Sequence, residues 1–190
     1  MPRTARIIIP ETAHHIVQRG NNRQNVFEEA ANFRNYCYWI NKYASQYKVS
    51  ILAYCLMNNH VHFIVVPQDT EGLPCLFRTV HMRYAQYANY KKNRSGHLWQ
   101  GRYFSCVLDE EHLFYAIRYV EQNPVRAKMV KYPWDYEWSS AKRHVHQTAE
   151  NYIKITNTKV VDSAHWKSYL LSNDNGIDDE IRKKTQPVDS

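Results

Sequence analysis

Cys55-Leu56-Met57-Asn58-Asn59-His60-Val61-His62-Phe63-Ile64-Val65-Val66 decides how the chain folds. From Val61 the run is β-branched and apolar, so His60–Val66 is predicted to be a strand with a polar mouth, ended by Pro67. Side chains two apart on a strand share a face, their Cα atoms about 6.5–7 Å apart. His60 and His62 can therefore converge on one ion while Val61 buries on the opposite side. The competing reading is a strand that merely carries two histidines, and a third ligand would decide between them. Upstream, Ser50–Leu56 is a second strand, and the short Met57-Asn58-Asn59 link makes the two a hairpin.

The remaining elements follow from periodicity. His14–Arg19 alternates as a first strand and runs into Gly20-Asn21-Asn22, a turn signal bracketed by Arg19 and Arg23. Such a turn can offer backbone N–H groups and guanidinium forks to phosphates or base edges, or be a solvated basic loop. His14 and His15 point to opposite faces, so at most one can approach a site, and neither is assigned to it. Glu28–Tyr47 has helical apolar spacing, as does Leu73 to about Asn93. Arg78, Arg83, Lys91 and Lys92 lie off the apolar side of the second helix, a basic, tyrosine-bearing surface suited to nucleic acid. His97–Arg102 is a turn and Tyr103–Leu108 a fourth strand.

Asp109 is a predicted N-cap and Glu110 and Glu111 complement a helix dipole, so a third helix runs to Asn123, where Pro124 ends it. Leu113, Ala116, Ile117 and Val120 form its buried stripe, with His112, Tyr119 and Asn123 on one flank. A tyrosine attacks poorly at neutral pH, since its pKa is about 10. It needs an activated electrophile and a stabilised leaving oxygen, which a divalent ion at a phosphodiester supplies. His60, His62 and Asn123 are candidate ligands for that ion and Tyr119 the candidate nucleophile; Tyr115 is the rival. Packing roles, Tyr119 at a core edge and Asn123 at a helix end, are the alternative for each residue alone.

Composition narrows the class. The 190 residues are enough for one domain plus an extension, and 44% hydrophobic and 14% aromatic content suit a folded globule. A net charge of +7 with 15 tyrosines points to a polyanionic partner whose bases can stack on rings. Cys37, Cys55, Cys75 and Cys106 form no Cys-x-x-Cys pair and read as reduced packing thiols. No signal peptide or membrane span is recognised, so a soluble intracellular protein is expected.

His60-Val61-His62, Trp99-Gln100-Gly101-Arg102, Tyr119-Val120-Glu121-Gln122-Asn123-Pro124-Val125 and Gln18-Arg19-Gly20-Asn21-Asn22-Arg23-Gln24 together resemble the REP-associated tyrosine transposases, bacterial members of the single-tyrosine HUH transposases. The resemblance spans about His14 to Val145. It implies an α+β, ferredoxin-like or RRM-like domain whose antiparallel sheet of four to five strands carries the histidine pair, with a C-terminal helical extension. It implies a nuclease domain over 1–145 and a partly flexible extension over 146–190. It also implies cleavage of single-stranded DNA near hairpins of repetitive extragenic palindromes, giving a 5′-phosphotyrosine and a 3′-hydroxyl with Mg²⁺ or Mn²⁺ as cofactor. Carried over by position, His60, His62 and Asn123 match the metal ligands and Tyr119 the nucleophile. Insertion-sequence relatives tend to carry glutamine at the position of Asn123.

Arg19, Asn21, Asn22, Arg23, Arg78, Arg83, Trp99, Gln100 and Arg102 are the expected nucleic-acid contacts. The expected partner is hairpin-bearing single-stranded DNA, with no membrane and no small-molecule cofactor. The chain is expected to be cytoplasmic and nucleoid-associated in a bacterium, a monomer with its tyrosine in cis, a dimer being the alternative. By ligand type two imidazoles and an amide suit Mn²⁺, Zn²⁺ or Ni²⁺, whereas abundance favours Mg²⁺. A non-catalytic binder of structured DNA or RNA on the same basic aromatic surface is the competing function, and a hydrolase using water a third. After Asn123 the sequence predicts a short helix over Val125–Val130, an aromatic segment Tyr132–Ser140 packed on the body, a docking helix with Trp166, Tyr169, Leu170 and Leu171, and a frayed tail over 173–190.

Overall fold

The computed structural model describes residues 6–147, 151–156 and 163–172. The tail reading for 173–190 lies outside the described residues. Four strands, β1 (Ala13–Arg19), β2 (Val49–Met57), β3 (His60–Pro67) and β4 (Phe104–Leu108), form one antiparallel sheet in the order β2-β3-β1-β4. α1 (Ala30–Gln46) joins β1 to β2 and α2 (Gly72–Lys91) joins β3 to β4. This is the expected ferredoxin-like βαββαβ order, with four strands among the described residues. No helix among them is long and apolar enough to cross a membrane, and all four cysteines are free thiols.

Register sorts the side chains between two layers. Val17 pairs with His62 and Arg19 with His60 across β1 and β3, while Cys55 pairs with His62 and Met57 with His60 across β2 and β3. Directly paired residues share a face. One face therefore carries His15, Val17, Arg19, His60, His62, Cys55 and Met57, and the other Ile16, Tyr54, Val61, Phe63 and Val65. α1 and α2 cover the second face. Phe63 meets Tyr36 of α1 and Phe77 of α2 at ring-centroid distances of 6.4 and 5.6 Å, all three fully buried. Burying an aromatic side chain of this size contributes about 1.5–3 kcal/mol.

The β2–β3 turn is held from outside. Two-residue hairpins favour positive φ at their central residues, which neither Asn58 nor Asn59 adopts. Instead their carbonyls accept from a neighbouring loop: Gly20 N–H to Asn59 O at 2.8 Å, and Val26 and Phe27 N–H to Asn58 O at 2.7 and 2.9 Å. A Cβ on Gly20 would stand 2.4 Å from Gln24 O and 2.9 Å from Val26 Cγ1, so glycine is required by close approach. The loop after β1 is thereby fastened to the mouth of β3, where His60 lies.

α3 (Glu110–Arg126) covers the histidine face. Asp109 caps it as predicted, accepting from His112 N–H at 2.8 Å. Its end departs from the sequence reading: α3 runs through Pro124, and no separate helix spans Val125–Val130. Pro124 lacks the N–H that would bond Val120 O. Asn123 Nδ2 supplies donors in its place, to Val120 O and Tyr119 O, both at 3.2 Å, and Arg126 Nη2 adds a bond to Tyr119 O at 2.6 Å. The helix survives its proline because the Asn123 side chain does the work of the missing amide at Val120 O.

The far side of α3 is buried too. The Glu121 carboxyl group, fully buried, accepts from Ser140 Oγ (2.5 Å), His144 Nδ1 (2.6 Å) and Trp166 Nε1 (2.8 Å). These tie α3 to α4 (Ala141–His146) and α5 (Ser163–Leu171). Arg118 donates to the carbonyls of Tyr169 and Ser172, and Gln122 to that of Leu170. The C-terminal carbonyls of α5, which a helix leaves without partners, are thus capped by α3. The aromatic segment packs against the body as read from sequence: Leu56 N–H bonds Trp138 O and Ser140 N–H bonds Tyr54 O, closing the outer edge of β2.

Candidate active site

Three imidazoles meet on the α3 face. The His60 and His62 ring centroids are 4.9 Å apart, and His15 stacks on His62 at 5.2 Å with His15 Nε2 and His62 Nδ1 at 3.0 Å. His60 Nδ1 donates to Asn59 Oδ1 at 2.6 Å, which leaves Nε2 of His60 with its lone pair outward. When His62 Nδ1–H donates to His15 Nε2, His62 is held in the same tautomer, and the buried Nδ1 of His15 is left without a partner among the described residues. Burial lowers the pKa of His15 to about 3 and, with Arg19 and Arg126 adding repulsion, that of His60 to about 4. Burial also carries His62 well below the usual range, with smaller contributions from His60, His15, Arg126 and Arg19. The trio is neutral near pH 7, the state in which imidazole binds a metal.

Among the described residues no three His, Cys, Asp or Glu are arranged to hold an ion. What converges is a pair of tethered, neutral imidazoles, with Asn123 on the adjoining helix. The bonds of Asn123 Nδ2 to its own helix leave Oδ1 as the ligand atom of that amide. This donor set fits a divalent ion held by two nitrogens and one oxygen, with positions left for substrate oxygens or water.

Tyr119 stands next to the pair. Its ring centroid is 6.0 Å from that of His62 and 6.1 Å from that of His15, both edge-on, and the Arg126 guanidinium carbon lies 4.0 Å above the ring. The residue is buried at 7% exposure, and no hydrogen bond to its hydroxyl is formed among the described residues. Tyr115, the rival, faces Phe114 at 5.9 Å. His112, expected on the same flank, is bonded to Asp109 at the helix start, about 10 Å along the axis from Tyr119.

The two basic motifs expected to touch nucleic acid join into one rim. Gln100 N–H bonds Arg19 O at 2.9 Å and Asn21 N–H bonds Leu98 O at 2.8 Å, so the loop before β4 is zipped to the loop after β1. Arg19 and Asn21 are half-buried there, while Asn22, Arg23, Gln100 and Arg102 are exposed. The backbone N–H groups of Gly20, Asn21 and Arg23 bond protein carbonyls, so this turn offers side chains rather than the amide cradle its sequence suggested. Trp99 is a core residue: it is buried beside Tyr36, His81 and Tyr84, and its indole N–H donates to His81 O at 3.0 Å. Its role is to anchor the loop. Arg78 and Arg83 sit on α2, in the layer on the opposite face of the sheet; Arg83 lies over Tyr43.

Two site residues were not foreseen. His15 shares strand parity with Arg19, itself a site candidate, which was the available signal. Arg126 is seven residues beyond Tyr119, two helical turns on the same side, but in the sequence the proline between them reads as a helix end.

Comparison with known proteins places the chain. Residues 9–123 match the family described as "Transposase IS200 like". No curated protein matches the chain. Among solved structures, a REP-associated tyrosine transposase bound to a REP hairpin is similar to 85% of this chain and 98% of its own, with 17% identity and a TM-score of 0.65, a likeness of fold. A putative transposase from Deinococcus radiodurans aligns over 64% of this chain and 97% of its own at 18% identity, with a TM-score of 0.42.

Proposed function

We propose, from the premise that this chain belongs to the IS200-like transposase family, that it is of the REP-associated branch and cuts and rejoins single-stranded DNA beside hairpins, with Tyr119 as nucleophile. The observation that carries the reading is Tyr119 set edge-on to His62 within 6.0 Å on the sheet face that also holds His60. The structural relative is bound to a REP hairpin, which supports a hairpin ligand here.

In the step proposed, the Tyr119 oxygen bonds phosphorus as the phenol proton leaves to solvent. The bond from phosphorus to the 3′ oxygen breaks, its electron pair stays on that oxygen, and protonation gives a 3′-hydroxyl. The product is a 5′-phosphotyrosine, whose retained bond energy lets a hydroxyl reverse the step. His60, His62 and Asn123 would hold Mg²⁺ or Mn²⁺, which supplies Lewis-acid stabilisation of charge on the phosphate. The chain's own residues orient and exclude water: α3 presents the ring, Asn59 and His15 fix the two imidazoles, and Arg19, Asn22, Arg23, Gln100 and Arg102 line the rim toward DNA. Tyr119 lies beside histidines of its own chain, which supports action in cis by a monomer. On this reading residues 1–145 are the nuclease domain, 146–190 an extension whose α5 buttresses α3, and the protein works in the bacterial cytoplasm on nucleoid DNA.

The test is a labelled hairpin library incubated with the protein and Mn²⁺, resolved on a denaturing gel. A protein–DNA adduct that disappears in Tyr119→Phe, with hairpin affinity kept within about threefold, is the expected result. Tight binding without an adduct from any hairpin would instead favour a non-catalytic binder, and cleavage that survives Tyr119→Phe a hydrolase using water.

A further inference from the structure

We propose that Arg126 is a further residue of the reaction, holding the Tyr119 ring in its attacking position and binding a non-bridging oxygen of the phosphate that Tyr119 attacks; this rests on the reading of Tyr119 as nucleophile. Three observations converge on it. The guanidinium carbon lies 4.0 Å above the Tyr119 ring centroid, within cation–π range, so the cation is stacked on the nucleophile itself. One of its nitrogens donates to the backbone carbonyl of the same residue at 2.6 Å, so ring and main chain of Tyr119 are gripped together. Arg126 is also exposed at the end of α3, and its planar group carries five donors, more than the Tyr119 carbonyl takes up.

The helix geometry explains how it gets there. Tyr119, Asn123 and Arg126 follow one another along one side of α3 at spacings of four and three, and helical side chains lean toward the N-terminus, which carries Arg126 back over the ring. Pro124 leaves Val120 O without its amide donor, and Asn123 and Arg126 bond the carbonyls of that turn. The Tyr-x-x-x-Asn-Pro-x-Arg segment thus carries the nucleophile, the ligand amide and a cation along one side of the helix. Arg19, on the neighbouring sheet face beside His60, places a second guanidinium at the same mouth. A phosphodiester entering between them meets positive charge from helix and sheet, where charge grows on the phosphoryl oxygens during attack.

A purely structural Arg126, needed only to bond the Tyr119 carbonyl near the end of α3, predicts a different outcome, and two measurements separate the roles on the full-length chain. The first is the single-turnover rate of adduct formation with a cleavable hairpin for Arg126→Gln and Arg126→Lys, alongside thermal midpoints and hairpin Kd. We expect Arg126→Gln to slow adduct formation about 100-fold, the effect of losing one preorganised donor, with Kd moved less than threefold and Lys restoring part of the rate. The second needs no cleavage: hairpins carrying one neutral methylphosphonate, scanned through the cut region, are bound to the Tyr119→Phe protein with and without Arg126→Gln. One position should weaken binding in the Arg126 background and cease to matter with Gln, and the salt dependence of binding should flatten by about 0.7 in log–log slope, one single-strand phosphate contact. Wild-type rates in both variants, or a rate loss that tracks only a lowered midpoint, would overturn the proposal, as would a methylphosphonate scan with no position coupled to Arg126. Absence of any adduct from the wild-type protein refutes the tyrosine reading instead, and the scan then decides the phosphate contact by itself.

Discussion

Replacing Glu121 with alanine should cost the protein much of its stability, and the size of the loss follows from its contacts. The carboxyl group accepts three hydrogen bonds, from Ser140, His144 and Trp166, whose residues are 0%, 7% and 1% exposed. Alanine takes this acceptor from all three, leaving Ser140 Oγ only the Tyr54 carbonyl at 3.4 Å. Each such group costs about 1–3 kcal/mol, but the three share one cavity that water can enter, so their sum is an upper bound. A net loss of about 4 kcal/mol agrees with the roughly 3–5 kcal/mol found when a buried pair loses one partner. With an urea m-value of about 2 kcal/mol/M, the midpoint should fall by about 2 M, read by tryptophan fluorescence and circular dichroism together. Trp166→Phe, which removes one donor and keeps the ring, should cost about 1–2 kcal/mol. The double variant should cost less than the sum by about 1 kcal/mol, since both act through one bond. A midpoint shift below about 0.5 M for Glu121→Ala, or strict additivity, would refute the claim that this carboxyl group fastens α4 and α5 to the helix bearing Tyr119.

Gly20→Ala forces a methyl group into the space of Gln24 O and Val26 Cγ1. About 2 kcal/mol of overpacking should lower Tm by about 4–8 °C, whereas Gly101→Ala, with nothing within 4 Å, should leave it unchanged. Asn59→Ala removes the acceptor that orients His60, and calorimetric Mn²⁺ affinity should fall about 10–100-fold; unchanged affinity would show that Asn59 does not set the ligand tautomer. His81 is buried, its pKa lowered by burial to about 3 from 6.5, so the native state holds it neutral while the unfolded state takes up a proton below pH 6.5. Its contribution is therefore complete above pH 6.5 and is lost as pH falls toward 3, about 2 kcal/mol by pH 5. Urea midpoints at pH 7 and pH 5 should differ less in His81→Asn than in wild type, and an equal difference would contradict this.

Much of the molecule was legible because local periodicity encodes it. Strand alternation put His60 and His62 on one face, four-residue spacing put Tyr119 and Asn123 on one helix edge, and the turn and cap residues delimited the elements in βαββαβ order. Periodicity is a relation within an element, and it ends there. Which layer covers which face is set by pairing register and by where the helices dock. His15 joins the imidazoles only because β1 pairs beside β3, and Arg78 and Arg83 are separated from them because α2 covers the other face. Trp99 and Pro124 show the same limit from the side of burial: an indole expected to touch nucleic acid fills the core beneath its loop, and a proline that reads as a stop is carried by Asn123. The sequence by itself determined the fold and the residue types of the candidate site. Only the tertiary structure decided which cations reach Tyr119 and which buried groups support its helix, because long-range packing chooses among faces that local spacing leaves equivalent.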